Sequence, residues 1–162
     1  MSLIVETGTG SESSESYVTV AECSAYHTKH GGTAWDWIDD KEAALRKATQ
    51  YLDSAYKWRG VPTTEAQALR WPRANVVVDS YALAWDAIPA NLKHACCELA
   101  AKGDLFADVE SQHVTDVQVG PIKRSMSGLS NGGQKRYAAV DALVRELISG
   151  GSGSATIALV RA

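Results

Sequence analysis

The sequence predicts a mainly α fold: a small helical bundle of about four main helices, with a β-hairpin and extended N- and C-terminal arms. Two long stretches, 40–58 and 89–106, carry apolar residues at the three-and-four spacing of a buried helical stripe. A capping pair and a glycine stop bracket the first stretch, and a proline at the first helical position opens the second. The apolar period drops to two in only one place, between His113 and Met126. The 162 residues amount to one domain, and 45% hydrophobic with 22% charged residues is ordinary for a globular chain. The expected division is an N-terminal arm over 1–18, a helical domain over 19–149 with its hairpin near 112–126, and a linker with a C-terminal strand over 150–162.

Residues 2–16 begin with the apolar run Leu3-Ile4-Val5 and pass into a glycine and serine stretch, the composition of a flexible arm. Thr19 followed by Glu22 forms a capping box, so a helix is expected from Val20 to the stop at Gly31-Gly32. His27 and His30 lie three apart on it but have no third ligand in the pattern, and read as a solvated helix end. Asp39 with Glu42 repeats the capping logic. The helix expected from Asp40 to Trp58 aligns Ala44, Ala48, Tyr51, Leu52, Ala55 and Trp58 on one face and would be the spine of the bundle. Gly60 suits the left-handed position after the last turn, and Pro62 prevents continuation.

A short helix is expected to start at Thr63 or Thr64, run through Leu69 and end before Pro72. The β-branched and aromatic segment from Asn75 to Asp86 reads as an ordered loop or weak hairpin. Pro89 opens a second long helix with Leu92, Ala95, Cys96, Leu99, Gly103 and Phe106 on its buried face. Thr115, Val117 and Val119 then alternate with polar residues before a Gly120-Pro121 turn into Ile122-Lys123-Arg124. A last helix should bury Tyr137, Val140, Leu143, Val144 and Leu147. Beyond the glycine-serine linker lies a β-prone segment, Ala155, Thr156, Ile157, Ala158, Leu159, Val160 and Arg161, which suits strand addition to a partner.

A formal charge of −3 gives no global attraction to nucleic acid. No apolar run reaches the roughly 20 residues of a membrane span, and no membrane partner is expected. Cys23, Cys96 and Cys97 have neither disulfide-framework nor zinc-ligand spacing. His27, His30, His94 and His113 fall in different elements, and no hydrolase, zinc-protease, nucleotide or dinucleotide motif occurs. The expectation is therefore a non-enzyme without a metal or cofactor. The one chemical cluster is Lys57, Trp58, Arg59, Arg70, Trp71 and Arg73, where cations alternate with indoles. Such a corner either stacks bases and holds phosphates, or buries its tryptophans under its arginines; the second arrangement is commoner.

The order of the sequence blocks carries a resemblance. They are SYVTVAE at Ser16 to Glu22, ALRKATQYLD at Ala44 to Asp53, YKWRG at Tyr56 to Gly60, QALRWPR at Gln67 to Arg73, IPANLKHACCELA at Ile88 to Ala100, VGPI at Val119 to Ile122, and RYAAVDALV at Arg136 to Val144. The chain resembles a tailed-phage and prophage family whose members are labelled DnaT-like single-stranded-DNA-binding proteins and whose setting and shape are those of head-tail connector, or adaptor, proteins. The resemblance implies a virion structural protein, made in the host cytoplasm and located at the neck. There it would form a dodecameric ring between the portal protein and a tail-side neck or tail terminator protein. Double-stranded DNA would pass through the ring without sequence-specific contact. In that setting Ala155 to Arg161 would dock on the portal, and Val117, Val119, Ile122, Lys123 and Arg124 would meet a neighbour, the lumen or the tail side. Trp58, Arg59, Arg70, Trp71 and Arg73 would form a structural corner. The alternative is a replication protein that grips single strands through that same corner.

Overall fold

The computed structural model describes residues 2–103, 105 and 136–149 in full, together with the backbone of 117–119 and 122–124. Helix α1 (Val20–His30) starts where the sequence places it. The Thr19 hydroxyl accepts the Glu22 N–H at 3.0 Å, the Glu22 carboxylate accepts the Thr19 N–H at 2.8 Å, and Gly31 ends the helix at φ 68°. His27, expected at a solvated helix end, is buried and donates from Nε2 to the Cys97 carbonyl at 3.0 Å. Its partner lies 70 residues away, out of reach of any local pattern. A 3-10 turn at Ala34–Trp37 buries Trp35, whose indole N–H donates to the Ser24 hydroxyl.

Helix α2 (Lys41–Ala55) is capped by Asp40 rather than Asp39, its carboxylate accepting the Ala43 N–H at 2.9 Å. It buries Leu45, Ala48, Thr49, Tyr51 and Leu52 and ends at Ala55, with Tyr56 already extended. Trp58 is thus not the last residue of a helical stripe. It stands in an antiparallel bridge with Ile148, and its neighbours are fixed by Arg59 N–H donating to the Leu147 carbonyl and Ser149 N–H to the Lys57 carbonyl. The helix stops early because these long-range bonds satisfy the backbone that another turn would have used.

Gly60, at φ 70°, leads into β1 (Val61–Pro62), which pairs antiparallel with β2 (Arg73–Ala74). A Cβ at Gly60 would run into the Ala74 carbonyl oxygen, so both the conformation and the close approach require glycine. The helix expected over 63–69 is absent. The Gln67 side chain takes over its backbone instead: its carbonyl accepts the Thr63 and Thr64 N–H groups, and its amide donates to the Leu69 and Pro72 carbonyls. The Trp71-Pro72 peptide bond within this loop is cis.

The segment read as a loop or weak hairpin is a hairpin. β3 (Val77–Val78) pairs with β4 (Tyr81–Ala82), and Asp79 and Ser80 both have positive φ, the geometry of a two-residue turn matched to strand twist. Helix α3 (Ala90–Ala100) follows Pro89 and buries Leu92, Ala95, Cys96, Cys97, Leu99 and Ala100. Gly103 lies beyond its end, and Phe106 lies outside the described residues. The expected hairpin appears as β5 (Val117–Val119) antiparallel to β6 (Ile122–Arg124). Helix α4 (Ala138–Val144) buries Val140 and Val144, and Leu147 follows in the core.

Helix α3 touches α1, α2 and α4, so it, rather than the longer α2, is the central element. The architecture is mainly α with a small β component. Each fully buried leucine or aromatic ring at this junction contributes roughly 1.5–3 kcal/mol relative to exposure. Residues 2–16, expected as a loose arm, are closed into a loop on the domain. The buried Glu6 carboxylate accepts N–H groups from Gly8, Gly10 and Ser11 and the Ser14 hydroxyl. Burial alone would raise its pKa, but these donors together bring it below the usual carboxylate value. Backbone bonds from Glu6 N–H to the Ser16 carbonyl and from Ala68 N–H to the Ser11 carbonyl tie the loop down.

Candidate functional site

The corner singled out in the sequence is assembled from three pieces of chain: the end of α2 with 56–60, the 63–72 loop with β2, and the strand-like exit from α4. Trp71 is fully buried and Trp58 is 5% exposed, with their rings edge to face at 6.1 Å between centroids. Trp58 also meets Tyr56 at 5.7 Å. Neither indole N–H has an acceptor among the described residues. A base has no face of either ring to stack on.

Arg73 is buried as well and spends its guanidinium on the backbone. Nε donates to the Arg59 carbonyl at 2.6 Å, Nη2 to the Gly60 carbonyl at 2.7 Å, and Nη1 to the Arg70 carbonyl at 3.1 Å. It thereby clamps the two strands of the corner at the glycine turn. Burial, aided by the Arg70 charge, lowers its pKa below the ordinary arginine value. Arg59 anchors Nε on the Ile148 carbonyl at 3.0 Å.

Asp53 holds the corner to α2. Its carboxylate accepts the Tyr17 hydroxyl at 2.5 Å and the Arg70 N–H at 3.0 Å, while the Tyr17 oxygen in turn accepts the Trp71 N–H at 3.2 Å. Burial pushes the Asp53 pKa up to about 6, against the opposing pull of these donors and of Arg70 and Arg73. Nothing in the local sequence marks Asp53. Its two main partners, Tyr17 and Arg70, are 36 and 17 residues away.

Beside this clamp lies a cleft of about 520 Å³ whose lining includes Lys57, Arg59, Arg70, Arg73 and Asp53, with Ser149 at its edge. Among the described residues Lys57, Arg59 and Arg70 face Asp53 there with the buried Arg73 behind them, so the corner is locally basic although the chain is mildly acidic. A second cleft of about 650 Å³ shares Asp53 and Arg70 and extends along Glu15, Arg46 and Gln67. Its Arg46 is already paired with Glu15 at 3.0 Å and Glu42 at 3.3 Å.

The exposed rings are elsewhere. Trp37 is 84% exposed, Tyr81 78% and Trp85 60%. Trp37 stands among Asp36, Asp39 and Asp40 in the chain, and Tyr81 and Trp85 between Asp79 and Asp86. Between Arg73 and Lys93 the chain carries no cation at all. The β3–β4 hairpin is braced at its base, where the Thr63 hydroxyl donates to the Trp85 carbonyl at 2.9 Å and Gly8 lies close against the Asp86 carbonyl. The sequence showed a loop or weak hairpin over 75–86 but marked neither it nor Trp37 as an interaction surface, because exposure of an aromatic ring leaves no periodic trace.

Val117, Val119, Ile122, Lys123 and Arg124 lie in the β5–β6 pair, and Ala155 to Arg161 lie outside the described residues. The cysteines are buried and free, with burial raising Cys96 to about 12. Among the described residues no group of three or more His, Cys, Asp or Glu could hold a metal ion, and no helix is long and apolar enough to cross a membrane.

A small helical protein whose distinctive surfaces are a cation-lined cleft and an acid-flanked aromatic hairpin is the class these features define. The chain belongs to the family described as "Putative DnaT-like ssDNA binding protein", whose model matches residues 1–162. Nothing matches among curated proteins or among solved structures.

Proposed function

We propose that this protein is a structural subunit of the head-tail connector kind, working through contacts with other proteins in a ring between portal and tail. The observation that carries the reading is the burial of Trp58 and Trp71 together with the setting of the exposed rings. The corner indoles fill the core, and the rings that do face solvent, Trp37, Tyr81 and Trp85, are flanked by carboxylates that would repel a phosphate backbone. Exposed tryptophan and tyrosine rings are enriched in protein interfaces, where polar groups form the rim. The ring and its place at the neck rest on the resemblance of the sequence blocks; the comparisons with known proteins do not bear on them.

The description of the family favours a second reading, the binding of single-stranded DNA. The cleft of Lys57, Arg59 and Arg70 supports it as a phosphate-binding surface, without base stacking. The two readings part on a titration with a fluorescent oligonucleotide of roughly 16 nucleotides at low salt. The connector reading expects weak binding that Arg59→Ala and Arg70→Ala leave unchanged. Tight binding that falls steeply with salt and is lost in those variants overturns it in favour of the second reading.

A further inference from the structure

The molecule carries two unlike surfaces of opposite charge, both held rigid. One is the β3–β4 hairpin, with Val77 49% exposed and Tyr81 and Trp85 more so, flanked by Asp79 and Asp86. The other is the corner cleft with Lys57, Arg59 and Arg70. None of the cleft's lining residues comes from the hairpin, so the molecule does not fill its own cleft with it. We infer that the hairpin of one copy docks in the corner cleft of a second copy, Trp85 and Tyr81 lying against Arg59 and Arg70 while Asp79 and Asp86 face the cleft cations. This deepens the connector reading and rests on it.

Charge complementarity selects the occupant. The cleft presents the exposed cations Lys57, Arg59 and Arg70 beside Asp53, and the hairpin presents two carboxylates with no cation between Arg73 and Lys93. Tryptophan, tyrosine and arginine are the residues that dominate interface energetics, and an arginine over an indole face adds a cation–π term. Both surfaces are preorganised. Thr63 and the 2–16 loop brace the hairpin, and Arg73 and Asp53 lock the cleft, so little ordering is lost on docking. Two different patches meeting head to tail make a heterologous contact, which propagates until rotation closes it.

The test uses the full chain and two face-specific variants, each with its helical circular dichroism compared with wild type. The hairpin variant carries Tyr81→Ala and Trp85→Ala; the cleft variant carries Lys57→Glu and Arg59→Glu. Sedimentation velocity should find multimers for wild type and monomers for each variant alone. An equimolar mixture should form complexes that stop at two copies, because the intact cleft of the hairpin variant receives the intact hairpin of the cleft variant and only damaged faces remain. Milder substitutions, Asp86→Asn and Arg59→Gln, should each weaken self-association by roughly tenfold if the reversed charges disturb folding. Either variant assembling like wild type, a mixture that stays monomeric, or an oligonucleotide occupying the cleft of a monomeric wild type would overturn the inference. Variants that lose self-association only through unfolding are identified by the dichroism. If both variants still attach to portal rings as closed rings, this interface fails while the connector reading stands. If wild type neither self-associates nor attaches, both fail.

Discussion

Asp53 joins a local cost to a global contact. Its carboxylate is held between the Tyr17 hydroxyl and the Arg70 N–H, and burial raises its pKa from 3.8 to about 6. The folded protein therefore binds this proton more tightly than the unfolded chain does. Stability from this group increases as pH falls through about 6 and levels off below the unfolded value near 4. A shift of this size bounds the gain at about 3 kcal/mol. Glu6 works in the opposite sense: its lowered pKa gives stability that is present near neutrality and lost as acid protonates it below the ordinary carboxylate range. Urea unfolding should thus give greater stability at pH 5 than at pH 7 for wild type. Asp53→Asn should remove that difference, and a difference that persists in the variant would place its origin elsewhere.

Burial separates the tryptophans into two kinds. Trp71→Ala removes a fully buried ring packed on Trp58 and should cost about 3–5 kcal/mol in urea unfolding. Trp85→Ala, at a ring 60% exposed, should change stability by no more than about 0.5 kcal/mol while lowering self-association. Equal losses in the two variants would contradict the division between core ring and interface ring. Gly60→Ala should cost more than about 1 kcal/mol by the same assay, since its φ of 70° and the Ala74 carbonyl both oppose a side chain.

At the scale of elements, the caps and apolar stripes were legible. Thr19 with Glu22 and Gly31 marked both ends of α1, and Leu92, Ala95, Cys96 and Leu99 marked the buried face of α3. These are short-range signals, set by the helical period and by hydrogen bonds within four residues. What could not be read depended on side-chain bonds to the backbone that no apolar period encodes, or on partners far along the chain. The helix expected over 63–69 gave way to a loop held by Gln67, and the helix expected over 40–58 ended at Ala55 because 57–59 bonds to 147–149. The serine-glycine composition of 2–16 suggested looseness, but one buried carboxylate, Glu6, collects its donors into an ordered loop. At the corner, the sequence showed which residues gather and favoured a structural corner with both indoles largely buried over a grip on bases, and both are buried. Packing closes Trp71 in, and Arg73 is spent on three carbonyls.

At the scale of the whole molecule, a chain with net charge −3 gathers Lys57, Arg59 and Arg70 at one cleft and places aromatic rings among carboxylates on a hairpin. That separation suits ordered contact between like subunits better than a grip on a polyanion, because the exposed rings and the cations are on different surfaces. The most direct measurement is electron microscopy of the purified protein alone and mixed with portal rings. The account predicts closed rings of many copies seated on one face of the portal. Monomers that leave the portal bare while binding single-stranded oligonucleotide in a salt-sensitive way would contradict it.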